Sequence, residues 1–106
     1  LSHRIHAHPE VGFEEVKASG WIAEHLAAHG FTVESGICGM PTAFKATYGQ
    51  GKPIIALLAE YDALPYLGHA CGHNIIAASS AGAAVAARRA ADELGGTIVV
   101  LGTPAE

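Results

Sequence analysis

The sequence is poor in cationic residues, cysteine and long apolar runs, and each scarcity argues against a class of function. Its six basic residues, Arg4, Lys17, Lys45, Lys52, Arg88 and Arg89, are scattered apart from one adjacent pair, and the formal net charge is -4. A nucleic-acid interface needs a basic stripe to neutralise phosphates, so that class finds no support. The longest apolar run, Ile54 to Ala59, has the length of a strand, far below the ~20 residues that span a bilayer. Two cysteines, Cys38 and Cys71, are too few for a disulfide scaffold in so apolar a chain and read as free thiols. Cys38, in Ile37-Cys-Gly-Met-Pro41, reads as a small buried hydrophobe. The chain starts at Leu1 rather than Met, so a leader peptide is not tested by it. The expectation is a cytoplasmic protein.

What is present is a buriable composition, half apolar and only 15% charged over 106 residues. That length supports one core, hence one domain or part of one. From Glu14 to His29, Ala18, Trp21, Ile22 and Leu26 recur at helical spacing, and Gly30 ends the helix. Phe31 to Glu34 and Thr42 to Tyr48 read as short strands around a Gly- and Pro-containing turn. Pro53 to Glu60 is a continuous apolar run of the kind buried on both faces of a parallel sheet. Asn74, a good N-cap, opens an Ala-rich helix to Leu94 whose small side chains allow close packing on a sheet. Thr97 to Leu101 reads as a second strand covered on both faces. Strand, loop, long helix and strand make a βαβ unit, and the fold class expected is α/β, a mostly parallel sheet with helices on both faces.

In open α/β sheets, ligands bind beyond the carboxyl ends of the strands. Three polar groups fall there: Glu60-Tyr-Asp62, the loop His69-Ala-Cys71-Gly-His73-Asn74, and Pro104-Ala-Glu106. In an extended loop, residues two apart share a side, so Cys71 and His73, with His69 on the same parity, could ligate one metal or two adjacent ones. Thiolate and imidazole suit zinc, and ligand type alone leaves manganese open. By spacing alone, a buried Cys among hydrogen-bonded histidines is an equal alternative. Asp62 and Glu60 can bind a metal or steady a ligand histidine, or simply be solvated at a strand end. Glu106 can move a proton, or be a surface carboxylate. His3, His6, His8, His25 and His29 read as loop or helix-surface histidines.

Four segments in one order carry a resemblance: His6-Ala-His8-Pro-Glu10 with Phe13-Glu-Glu15, Ala59-Glu-Tyr-Asp62-Ala-Leu-Pro65, Gly68-His-Ala-Cys-Gly-His-Asn74, and Gly102-Thr-Pro-Ala-Glu106. Together they resemble the two-metal peptidase and amidohydrolase family of aminoacylases, glutamate carboxypeptidases and plant auxin-conjugate hydrolases. The Cys-x-His form resembles its amidohydrolase branch, closest in look to p-aminobenzoyl-glutamate hydrolases and dipeptidase-like members. The resemblance implies metal-dependent hydrolysis of an amide in N-acyl amino acids, p-aminobenzoyl-glutamate-like conjugates or dipeptides. It implies two divalent ions, zinc or manganese, with Cys71 and His73 as ligands, Asp62 supporting the metal site and Glu106 as general base to a metal-activated water. Glu60 departs from the histidine that many members carry at that position. The resemblance further implies that residues 1–106 are an amino-terminal part of the catalytic domain, without its remaining ligands or dimerisation domain, in a protein that forms a homodimer. This stretch alone is expected to be inactive. The small amide substrate is the only partner expected, with no nucleic acid or membrane. Rival readings are a cysteine hydrolase with Cys71 as nucleophile and a non-catalytic metal-binding or assembly module.

Overall fold

The computed structural model describes residues 1–106. Helix α1 spans Ser2–His6 and α2 spans Val16–Ala28; strand β1 is Thr32–Ser35, β2 Phe44–Gln50 and β3 Ile54–Glu60; helix α3 is His73–Leu94 and β4 Gly96–Thr103. The strands form one sheet in the order β1-β2-β4-β3. No helix is long and apolar enough to cross a membrane.

The helical spacing in α2 buries Ala18, Ile22 and Leu26 completely or almost so. Side chains the size of Ile22 and Leu26 contribute about 1.5–3 kcal/mol each when fully buried. In α3, Ala77, Ala81 and Ala84 recur every three or four residues and are fully buried against the sheet. Methyl groups there let the helix lie close over Phe44, Ala46, Ile98 and Val100, which share its core cluster. Asn74 does not cap this helix. The N-cap is Gly72 in the left-handed region, and buried Asn74 donates from Nδ2 to the Ser2 hydroxyl at 3.0 Å, tying α1 to α3.

The βαβ unit is present, with β3 parallel to β4 and α3 between them in sequence. The rest of the sheet corrects the expected mostly parallel arrangement, because β1–β2 and β2–β4 are antiparallel. Eight residues join β1 to β2, fewer than the dozen or so that a parallel crossover needs. The helices also differ from expectation. All three contribute to one core cluster, on the face carrying Phe44, Ala46, Ile98 and Val100, rather than covering both faces. Strand β3 is the sheet edge, and its apolar run is not enclosed in this chain: Ile54, Ile55 and Leu58 are each more than half exposed. Conversely, β4 is interior, with Ile98, Val99 and Val100 buried. Cys38 is exposed rather than buried, because it occupies a left-handed position in a 3-10 turn over Ile37–Gly39.

One glycine carries a packing requirement. Gly102 faces Phe44 across the β2–β4 pairing, and a Cβ there would overlap the aromatic ring. Phe44 is buried and stacks on Tyr61 at 6.1 Å between centroids. Gly102→Ala is expected to destabilise by about 1–3 kcal/mol through overpacking. A urea midpoint equal to that of the parent would mean that the ring has room to move.

Candidate metal and proton-transfer site

Parallel pairing sets Glu60 opposite Thr103, so β3 and β4 end side by side. Asp62 follows the first strand, Pro104 to Glu106 follows the second, and His73 opens α3 beside them. His73 is 8% exposed and is held by its surroundings. Its Nδ1 donates to Asp62 Oδ1 at 2.8 Å, which fixes the tautomer and leaves Nε2 as the free nitrogen. Nε2 lies 3.5 Å from Glu60 Oε2 and 3.6 Å from Glu106 Oε2. Asp62 Oδ1 also accepts the Glu106 amide at 3.3 Å, so one carboxylate ties both the histidine and the end of β4.

Glu60, His73 and Glu106 each present a donor atom, and these three atoms lie within 4.8 Å of one another. Three carboxylates thus surround one imidazole, and no Lys or Arg pairs with any of them. Such an excess of negative charge in a partly buried place is relieved by a cation, and carboxylate oxygen with imidazole nitrogen suits a divalent metal. The residues present therefore fit the metal that the sequence motifs imply. Glu60 and Asp62 are the enclosed acids, their side chains 19% and 13% exposed.

Of the residues singled out in the sequence, Asp62, His73 and Glu106 are brought together. Cys71 is not part of the group and is exposed. The loop before α3 is not extended: Gly72 N–H closes a turn onto the His69 carbonyl at 3.1 Å, so the alternation of sides assumed for residues 69, 71 and 73 does not hold. His69 is buried while Cys71 is open to solvent. Glu60 is the member that sequence reasoning places at the site without settling its role. Its signal is its position at the carboxyl end of an apolar strand, two residues before Asp62.

Burial of His69, helped by the neighbouring His6 and His73, lowers its pKa below the usual 6.5, against a smaller opposing pull from Asp62. Burial and the adjacent His29 lower that of His25 in the same direction. Both groups take up a proton more readily unfolded than folded. Their contribution to stability is thus complete above pH 6.5 and is lost as pH falls below it towards their folded values. Urea midpoints should fall between about pH 7.5 and 5.5, less steeply in His25→Gln. An unaltered slope in that variant would remove His25 from the account.

No protein-family profile matches the chain. It is 40% identical to a p-aminobenzoyl-glutamate hydrolase of Escherichia coli over 129 aligned positions, covering all of this chain and 26% of that protein. It is 38% identical to the mouse Xaa-Arg dipeptidase, again over its whole length and 28% of the relative. A crystal structure of a dinuclear metal-binding M20 peptidase from Bacillus subtilis superimposes with a TM-score of 0.87 at 30% identity, covering 100% of this chain and 34% of that one. The chain thus spans about a quarter to a third of the length of the proteins it matches. Along its whole length the chain is thus similar, in sequence and in fold, to part of known peptidases and amidohydrolases, among them a dinuclear metal-binding peptidase of the M20 family.

Proposed function

We propose that this chain is part of the catalytic domain of a metal-dependent amidohydrolase that cleaves an amide in N-acyl amino acids, p-aminobenzoyl-glutamate-like conjugates or dipeptides. The observation that carries the reading is the ring of three carboxylates about a single imidazole, with no basic side chain to balance them. The substrate class draws on the relatives, one named for p-aminobenzoyl-glutamate and another for an Xaa-Arg dipeptide. The partner is accordingly a small amide or dipeptide.

His73 and Glu60 would hold a divalent ion, zinc or manganese, and Cys71 is a further ligand by family resemblance. A second ion is supported by the dinuclear relative. When bound, such ions acidify water and polarise a carbonyl. Asp62 holds the His73 ring and the Glu106 amide in register. The Glu106 carboxylate, next to the cluster, takes a proton from the attacking water. It then returns that proton to the leaving amine as the amide C–N bond breaks. No acyl-enzyme is needed. Both nitrogens of His73 face carboxylates, which leaves that ring unavailable as a base for a Cys71 nucleophile. The free thiols suit a reducing cytoplasm, and assembly as a homodimer is carried over from the family resemblance.

The reading is tested by metal content and turnover in the full-length protein. Cys71→Ala is expected to lower both together, and full metal occupancy at unchanged affinity in that variant would remove Cys71 from the ligand set. The 106-residue chain by itself offers fewer ligands than two metals need, and its exposed edge strand β3 invites association. Purified alone with excess zinc or manganese, it is expected to be catalytically inert and to self-associate. A monodisperse monomer that hydrolyses p-aminobenzoyl-glutamate or N-acyl amino acids would overturn this.

A further inference from the structure

Glu15 is a buried acid that the mechanism above leaves unused. It is 0% exposed, and no Lys or Arg pairs with it. Its Oε1 accepts the Ala105 amide at 2.8 Å and its Oε2 accepts the Thr42 hydroxyl at 3.0 Å. The Tyr61 hydroxyl, in turn, donates to the Thr42 carbonyl at 2.5 Å. Taking a carboxylate out of water with only neutral donors for company is costly, so an apolar residue would fill this space at less expense to folding. What an apolar residue cannot do is hold the Ala105 amide.

Ala105 needs holding. Its φ of 53° lies in the left-handed region, which a residue with a Cβ adopts only when its surroundings impose it. It is gripped from two sides. Glu15 bonds its amide, and Gly12 packs so closely that a Cβ there would sit 2.8 Å from the Ala105 Cβ. The same segment anchors the other strand end, because the Ala63 amide donates to the Glu10 carbonyl at 2.8 Å. The Glu10 carboxylate meanwhile caps α2, accepting the Lys17 and Ala18 amides at 3.0 and 2.8 Å. Residues 10–15 therefore fix the immediate neighbours of both Asp62 and Glu106.

We propose that Glu15 is a positioning residue: by holding the Ala105 amide, its buried carboxylate aims Glu106 at the site edge where His73 Nε2 lies. The inference rests on the reading of Glu106 as general base. Glu15→Met in the full-length protein removes both acceptors at similar volume. Because small misplacements of a catalytic group cost up to about 100-fold, kcat should fall about 10- to 100-fold, with KM and metal content close to the parent. Glu15→Gln should stay within a few-fold, since its oxygen can still accept the Ala105 amide while the Thr42 hydroxyl turns to accept from its NH2.

A merely structural role is separated by a double-mutant cycle. In a Glu106→Gln background, Glu15→Met should cost nothing more in kcat, because the group it positions is already disabled. Multiplicative losses, or an unchanged kcat in Glu15→Met alone, overturn the proposal. If Glu15→Met does not fold, Gly12→Ala displaces Ala105 from its other side and must show the same non-additivity for the proposal to stand. Full turnover in Glu106→Gln alone would instead defeat the general-base reading, a result visible before Glu15 is touched.

Discussion

Glu106→Gln in the full-length protein is expected to keep its metal and lose turnover by about 10²- to 10⁴-fold, the usual worth of a positioned general base. At about 1.36 kcal/mol per tenfold, that is roughly 2.7 to 5.4 kcal/mol of barrier. The amide matches the carboxylate in shape, and its carbonyl oxygen can still face His73, but it cannot accept a proton from water or hand one to a leaving amine. The geometry makes this the cleanest substitution at the site. The backbone of Glu106 is fixed independently of its side chain, by the Asp62 bond to its own amide and the Glu15 bond to the amide before it. Loss of the carboxylate therefore leaves the frame standing. Metal content by mass spectrometry and kcat on p-aminobenzoyl-glutamate are the measurements. Turnover within a few-fold of the parent would mean that another group carries the proton.

Much of this site is legible in the sequence because its residues sit at positions that physics marks independently. Asp62 and Glu106 each follow an apolar strand, and His73 opens the helix between those strands; parallel pairing then has only one edge at which to gather them. The local path of the chain is not legible in the same way. The parity of His69, Cys71 and His73 holds only in an extended loop, whereas Gly72, at φ 81°, turns the chain and breaks the alternation. A parallel sheet is the natural expectation because the βαβ unit gives the strongest pattern, yet the short β1–β2 connection forces the antiparallel half. The apolar run of β3 suggests enclosure on both faces, but hydropathy reports what a strand can bury, not whether this stretch of chain supplies the cover. Glu15 is visible in the sequence only as part of a motif. A buried acid looks the same there as a solvated one, and its role emerges only from the left-handed Ala105 that it holds, 90 residues along the chain.

His73 is the other position where a large effect is expected. Its ring is the shared neighbour of Glu60, Asp62 and Glu106, so on the proposed reading His73→Ala would remove a ligand and leave three carboxylates facing one another. Metal affinity should fall further than in Asp62→Asn, where the ring remains and only its orienting charge is lost, a change of the kind that costs about 10- to 100-fold. The ordering matters more than either value, because it follows from which atom each residue would offer: His73 Nε2 is the nitrogen left free to hold a metal, whereas Asp62 spends Oδ1 on Nδ1 of that ring. A ligand that binds only the folded state raises its stability by about 2.7 kcal/mol at a hundredfold excess over Kd. Thermal midpoints with and without added zinc or manganese should therefore separate in the parent, separate less in Asp62→Asn and coincide in His73→Ala. Equal metal-induced shifts in all three proteins would place the metal away from this sheet edge. A loss in Glu60→Gln comparable to that in His73→Ala, with Cys71→Ala unaffected, would assign the metal to the Glu60–His73 pair rather than to the Cys-x-His motif.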